Sequence, residues 1–185
     1  VRARAPRGAA AAERQSGPDA VAPFLEDAAH VSGGHADAVV FASSERDVAD
    51  VLTSSGVVLP IGAQTSLTGG ATPRGGVVLA TSRFRRIEPL GADRVRVGAG
   101  VSIADLDAWL ALRGACYPPA PTWHGATVGG TVATNAAGPA TFRYGSTRAW
   151  VEGLTVVLAD GSVLDLERGR VFTHPDGWWD LQGLH

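Results

Sequence analysis

The sequence lacks lysine altogether, so all 16 basic residues among its 185 residues are arginines. This absence excludes a Walker-type phosphate-binding loop, a Schiff-base lysine and a serine–lysine catalytic dyad. The chain has one cysteine, Cys116, so it can form neither an internal disulfide bond nor a cysteine-based zinc site. Because the five histidines also show no metal-ligand spacing, we expect no metal site in this protein.

Two further absences concern membranes and nucleic acids. No apolar run approaches the roughly 20 residues of a membrane-spanning helix, and the first residues lack the apolar segment of a secretory signal. The net charge of −2 lacks the basic excess that is typical of nucleic-acid-binding proteins. We therefore expect a cytoplasmic protein without a membrane span and without a nucleic-acid partner.

The first half of the chain predicts a β-α-β unit behind a tail. Residues 1–21 are rich in Ala, Arg, Gly and Pro and show little apolar periodicity, which predicts a mobile N-terminal tail. Apolar runs over residues 38–41 and 57–60 predict buried strands, and Ser44 and Asp47 between them have the spacing of a helix N-cap. Strand, helix and strand at this spacing predict that the two strands pair in parallel.

Later segments predict antiparallel strands and a second helix. Apolar or alternating patterns predict strands over 77–80 and 94–97, and an amphipathic pattern predicts a helix over 102–112. Two more strands, over 154–159 and 163–166, are joined by an Asp-Gly pair, which is a strong hairpin signal.

These elements predict an α+β fold with two lobes. The composition, 45% apolar and 18% charged, is that of a folded domain. We expect a small parallel β-α-β lobe over about residues 22–90. A second lobe, a mixed or antiparallel sheet with helices, should cover about residues 91–185.

The segment over residues 60–70 carries the strongest chemical signal. It lies between two predicted buried strands, is rich in glycine and is uncharged. Glycines allow positive φ angles and let successive backbone N–H groups converge on an anion, and Thr65, Ser66 and Thr68 add hydroxyl groups. This pattern predicts a phosphate or pyrophosphate cradle that needs no lysine, although a flexible surface loop would have a similar composition.

A second unusual stretch, residues 125–138, consists almost entirely of small residues and includes Asn135, the only asparagine of the chain. Small residues let a backbone approach a large flat ligand closely. They also let a short helix pack tightly against a sheet, and the composition alone leaves both interpretations open.

Five motifs occur in the order seen in FAD-linked oxidases: PIGAQTSLTGG at 60–70, YPP at 117–119, ATVGGTVATNAAG at 126–138, RYG at 143–145 and VLADG at 157–161. From about Ala38 to Leu166 the chain resembles the FAD-binding domain of the vanillyl-alcohol oxidase/p-cresol methylhydroxylase superfamily. Within that superfamily it is most similar to the branch of D-lactate dehydrogenase (cytochrome) and glycolate oxidase.

The resemblance implies FAD as cofactor and assigns a role to each motif. The loop over 60–70 would wrap the pyrophosphate, the prolines would line the path towards the adenosine, and the small-residue stretch would contact the diphosphate, ribitol and isoalloxazine. The implied FAD-binding residues are Pro60, Ile61, Gly62, Ala63, Gln64, Thr65, Ser66, Leu67, Thr68, Gly69, Gly70, Pro118, Pro119, Thr127, Gly129, Gly130, Ala133, Thr134, Asn135 and Gly138.

The resemblance also implies a reaction, the oxidation of a D-2-hydroxy acid such as D-lactate or glycolate by hydride transfer to flavin. Two alternatives remain open: an FAD-binding module or remnant without turnover of its own, and a related flavoenzyme that acts on an ether-lipid precursor or a sugar alcohol. The electron acceptor and the catalytic residues are not assigned. Since family members are much longer, we expect this chain to be truncated at its C-terminus and the hydroxy acid to bind a C-terminal lobe that it lacks.

Two details of the loop lead to expectations about the cofactor. Some members of the superfamily bind flavin covalently through a histidine of this loop, and the matching place here is assigned to Gln64, so the resemblance implies noncovalent FAD. If this loop, with Gly69 and Gly70 at its end, approaches the pyrophosphate through its backbone, we also expect a side chain at Gly70 to clash or to force an unfavourable φ angle, and thereby to weaken FAD binding while the protein stays folded.

Overall fold

The structure, a computed structural model, describes residues 3–174 and 177–180. Its largest sheet has four strands in the order β1-β2-β4-β3. Strand β1 is antiparallel to β2, whereas β2 and β3 both run parallel to β4. The bounds are Glu13–Ser16 for β1, Ala38–Phe41 for β2, Val58–Ile61 for β3 and Val77–Ala80 for β4.

Three antiparallel strand pairs and five α-helices make up most of the remaining regular structure of the described residues. The strand pairs are β5 (Ile87–Leu90) with β6 (Arg94–Val97), β7 (Gly153–Val157) with β8 (Val163–Glu167), and β9 (Val171–His174) with β10 (Gly177–Asp180). The helices are α1 (Pro18–Val21), α2 (Glu45–Ser54), α3 (Ile103–Ala111), α4 (Val128–Ala133) and α5 (Thr141–Tyr144), with 3-10 turns at Ala22–Phe24 and Thr147–Trp150. Within residues 3–174 and 177–180, no helix has the length and apolar character needed to cross a membrane.

The prediction that residues 38–41 and 57–60 pair directly is wrong. Both strands form and run parallel, but β4 lies between them. All four residues of β4 are buried, so a central position removes the most apolar surface from water. Strand β3 contains Pro60, which has no N–H to donate and is therefore best placed on the edge of the sheet.

Helix α2 begins as its sequence predicts. Ser44 is the N-cap, its hydroxyl accepts a hydrogen bond from the Asp47 N–H, and the Asp47 carboxylate accepts one from the Ser44 N–H in return. This capping box satisfies two backbone donors that the first helical turn would otherwise leave unpaired. The apolar side chains of Val48 and Val51 pack against the side chains of β2 and β4.

Part of the segment over residues 1–21, which is expected to be a mobile tail, lies against the rest of the protein, while its mobility stays a prediction. Residues 13–16 form β1 on the edge of the sheet. Further upstream, the Arg4 backbone pairs with Val163, and its guanidinium lies 2.6 Å from carboxylate oxygens of both Glu45 and Asp165. The two carboxylates raise the pKa of Arg4, and Arg4 lowers the pKa of each carboxyl. Since these partners are distant in sequence, composition could not predict their contact with the tail.

The hairpin predicted in the second half is confirmed. The turn between β7 and β8 contains Gly161 at φ 80°, and the Asp160 carboxylate accepts hydrogen bonds from the Ser162 N–H and hydroxyl. The predicted helix over 102–112 is also present as α3, whose N-cap hydroxyl on Ser102 accepts from the Asp105 N–H. The division of the chain into lobes near residue 90 stays a prediction.

Candidate functional site

The loop that follows β3 presents backbone donors without internal partners. Among the described residues, no acceptor meets the backbone N–H groups of residues 62–67, of Gly69 or of Gly70. The Ser66 hydroxyl binds the Thr68 hydroxyl and accepts a hydrogen bond from the Thr68 N–H. A run of free N–H groups on an uncharged, partly exposed loop has the donor chemistry that an anion requires.

Two polar side chains hold the loop in place through hydrogen bonds to backbone groups. The Gln64 side-chain amide donates to the backbone oxygens of Phe24 and Ala71, at 3.0 and 2.9 Å. The carboxylate of Asp27, a residue that is only 3% exposed, accepts a hydrogen bond from the Ala71 N–H at 3.2 Å. The Asp27 N–H in turn donates to the Thr72 hydroxyl. Sequence reasoning missed Asp27, because nothing in its local pattern indicates that it faces residues more than 40 positions away.

Gly62 brings the loop into contact with the N-terminus of α4. A Cβ at Gly62 would overlap the Thr127 hydroxyl oxygen, so only glycine lets the two segments approach this closely. Thr127 is buried and caps α4 by accepting a hydrogen bond from the Gly130 N–H. Two sequence motifs more than 60 residues apart therefore meet at one point.

The two glycines of α4, Gly129 and Gly130, make hydrogen bonds and packing contacts within the protein. The Gly129 N–H donates to the Ala99 backbone oxygen, and a Cβ at Gly129 would lie 2.7 Å from the Ala99 Cβ. With the Gly130 N–H bound to Thr127, neither glycine has a free backbone donor. Their predicted contact with the diphosphate therefore cannot use these N–H groups, and the available donors lie in the loop after β3.

The remaining predicted residues fall into packed and exposed groups. Pro119 is fully buried, so its side chain packs inside the protein, and its place along the cofactor stays a prediction. A Cβ at Gly138 would overlap the Ala120 backbone oxygen, which ties this glycine to the proline segment. The amide oxygen of Asn135, a residue with φ 46°, accepts a hydrogen bond from the Arg148 N–H. Of this remaining group, the residues that keep accessible surface are Pro118, Ala133, Thr134, Asn135 and Gly138.

The two adjacent glycines at the end of the loop differ in backbone conformation. Gly69 has φ 76°, a left-handed conformation that strains other residues. Gly70 has an ordinary φ angle, and a Cβ there would meet only the Thr68 hydroxyl at 3.4 Å. A side chain at Gly70 would therefore not force an unfavourable φ angle, because the backbone there has room for one. Its clash with the bound pyrophosphate stays a prediction.

Comparison with known proteins decides the family. A family model described as a FAD binding domain matches residues 36–167, which is most of the chain and includes every motif that sequence analysis singled out. The chain belongs to this FAD binding domain family. Its cofactor is therefore FAD, as the resemblance implied.

Curated relatives of this FAD binding domain are longer proteins. The chain is 39% identical over 119 residues to a D-lactate dehydrogenase of Archaeoglobus fulgidus, which covers 63% of this chain and 27% of that protein. It is 39% identical over 139 residues to a D-lactate dehydrogenase of Anaerostipes hadrus, with 70% and 29% covered. A D-2-hydroxyglutarate dehydrogenase of Xanthomonas citri pv. viticola is 37% identical over 118 residues, with 62% and 25% covered. The chain thus spans under a third of the length of these relatives.

A solved structure supports the fold. The structure of 6-hydroxy-D-nicotine oxidase from Arthrobacter nicotinovorans superimposes with a TM-score of 0.73 at 24% identity, covering 84% of this chain and 35% of the oxidase. At this identity the likeness concerns the fold alone. It confirms the α+β class predicted for this FAD binding domain.

Proposed function

We propose that this chain is the FAD-binding part of a flavoenzyme that oxidises a D-2-hydroxy acid by hydride transfer to flavin. The main support for the position of the cofactor site is the loop after β3. Its backbone N–H groups at residues 62–67, Gly69 and Gly70 are free to donate hydrogen bonds to a pyrophosphate. The substrate class rests on relatives named for D-lactate and D-2-hydroxyglutarate, which share a 2-hydroxy-carboxylate group.

The residues of the loop fit the chemistry of FAD. A pyrophosphate carries negative charge and needs converging donors, which the free N–H groups and the hydroxyls of Thr65, Ser66 and Thr68 offer. When bound, FAD supplies the hydride acceptor, and the protein supplies binding, orientation and exclusion of water. We propose that the exposed residues Ala133 and Thr134, at the end of α4, lie along the ribitol and isoalloxazine.

The first prediction is that FAD binds without a covalent bond. Gln64 has no nucleophilic ring nitrogen, and its amide is already engaged with two backbone oxygens. Acid precipitation of the FAD-loaded protein should therefore leave the yellow colour in the supernatant, as measured by its visible spectrum. Colour retained in the washed pellet would contradict noncovalent binding, and free FAD carried through the same precipitation is the control.

The second prediction is that the 185-residue chain binds flavin but does not turn over hydroxy acids. Oxidation of a hydroxy acid needs a cation for the carboxylate and a base within reach of the hydroxyl. Two possible candidates in this chain already have partners, because His124 lies 3.3 Å from the Asp107 carboxylate and Arg143 lies over the Tyr144 ring. Anaerobic mixing of chain, FAD and D-lactate should leave the flavin absorbance unchanged.

Rapid bleaching in that experiment would contradict the second prediction and show that these residues hold a complete site, with His124, Arg143 and Tyr144 the first to mutate. Chemical reduction by dithionite in the same cuvette is the positive control. The compartment stays a separate proposal: a cytoplasmic location, which cell fractionation would test.

A further inference from the structure

Gln64 has an unusual backbone conformation within the FAD loop. Its φ angle of 51° lies in the left-handed region, where residues other than glycine, asparagine and aspartate are uncommon. Glycine is the usual residue for such a conformation, but this position carries a long polar side chain. A conformation of this kind persists only where surrounding contacts determine it.

Three hydrogen bonds hold Gln64 in place. Its side-chain amide donates to the Phe24 oxygen at 3.0 Å and to the Ala71 oxygen at 2.9 Å, and its own backbone oxygen accepts from the Ala28 N–H at 2.9 Å. One residue thus joins the start of the loop, the end of the loop and the segment that follows the first 3-10 turn.

Ala71 is held from both sides. Its oxygen accepts the Gln64 amide, while its N–H donates to the buried carboxylate of Asp27. The Asp27 carboxylate also accepts a hydrogen bond from the Ala29 N–H. The end of the loop is therefore bound to residues 27–29 through Asp27 and to the beginning of the loop through Gln64.

We propose that Gln64 is a positioning residue for FAD binding, because it presets the curvature of the loop that presents the free N–H groups of residues 62–67 to the pyrophosphate. Gln64 contacts the protein with its side chain and acts on the cofactor through its neighbours. The inference rests on the proposed role of the loop in pyrophosphate binding. Its physical basis is preorganisation, since a loop ordered before binding loses less conformational entropy when FAD arrives.

The test compares Gln64→Gly with Gln15→Ala in the full 185-residue chain. Glycine adopts the left-handed conformation without strain but removes both side-chain hydrogen bonds. We expect Gln64→Gly to weaken FAD binding about tenfold, as loss of two neutral hydrogen bonds implies. The thermal midpoint of the FAD-free protein should change little. The Gln15 side chain bonds its neighbour Glu13 on the edge strand, far from the loop in sequence, so Gln15→Ala should leave both quantities at the wild-type value.

A second variant, Gln64→Glu, tests hydrogen-bond donation itself. Glutamate has the same length but presents an acceptor to the two backbone oxygens, so its FAD affinity should fall further than that of Gln64→Gly. At saturating FAD, the visible circular dichroism of the bound flavin should match wild type in Gln64→Gly, because the flavin end of the site is untouched.

The outcomes separate this inference from the proposed function. If the wild-type chain binds FAD and Gln64→Gly binds it equally well, the positioning role is overturned while the proposed function stands. A lower thermal midpoint with unchanged FAD affinity of the folded protein would also overturn it, in favour of a purely structural role. Failure of the wild-type chain to bind FAD would overturn the proposed function itself.

Discussion

Replacing Gly70 with valine is expected to weaken FAD binding by about a hundredfold or more while the free protein stays folded. Gly70 has an ordinary φ angle and space for a Cβ, so valine there should not disturb the FAD-free protein. Its free N–H lies in the loop proposed to face the pyrophosphate. A side chain between the loop and the phosphates would prevent backbone hydrogen bonds to the phosphates. Losing only two charge-assisted hydrogen bonds, each worth roughly 1.5–3 kcal/mol, is enough for the expected fall in FAD affinity.

The matched control for this variant is Gly56→Val. Gly56 precedes β3 and has an ordinary φ angle, and a Cβ at this position would have no other atom within 4 Å, so FAD affinity should stay at the wild-type value. Isothermal titration with FAD, together with far-ultraviolet circular dichroism, measures both properties. If Gly70→Val retains wild-type affinity, the pyrophosphate does not bind at this part of the loop.

Replacing Asp47 with alanine should destabilise the protein by about 2–4 kcal/mol, or roughly 5–15 °C in the thermal midpoint. Asp47 is 1% exposed, and its carboxylate accepts hydrogen bonds from the N–H groups of Ala11, Ser43 and Ser44 and from the Ser43 hydroxyl. One carboxylate thus caps α2 and fastens the N-terminal segment to it. Alanine would leave these donors without a protein acceptor.

The same variant should change the dependence of stability on pH. Burial of the Asp47 carboxyl opposes ionisation, but the hydrogen bonds from Ala11, Ser43 and Ser44 outweigh burial and lower its pKa. A carboxyl whose pKa is lower in the folded than in the unfolded state stabilises the protein above the unfolded value, near 4. This contribution is lost as pH falls through the folded pKa, so wild type and Asp47→Ala should converge in acid.

Asp50→Ala provides the control for helix propensity and charge. Asp50 lies on the same helix, but its side chain is exposed and accepts none of the hydrogen bonds seen at Asp47. Urea denaturation of the three proteins at neutral and acidic pH measures the free energies of unfolding. Equal stability of Asp47→Ala and Asp50→Ala at neutral pH would show that the buried hydrogen bonds do not stabilise the fold.

Local sequence was sufficient wherever structure depends on neighbouring residues. The capping box of Ser44 and Asp47 and the hairpin at Asp160 and Gly161 need only residues a few positions apart, and both are present as predicted. The order of the glycine-rich motifs was also sufficient to identify the family and its cofactor, FAD. The family model confirms this, since the segment that it matches, residues 36–167, contains all of these motifs. The roles of individual residues towards FAD stay predictions.

Residue patterns were thus enough to establish the fold class, the main helices and strands, the family and the cofactor. Tertiary contacts were needed to show that β4 separates β2 from β3, that Arg4 binds Glu45 and Asp165, and that the loop rather than α4 has free N–H donors. The physical reason is that periodicity and capping act over a few residues. Strand order, ion pairs and the competition for backbone donors depend instead on groups that meet only after the chain has folded.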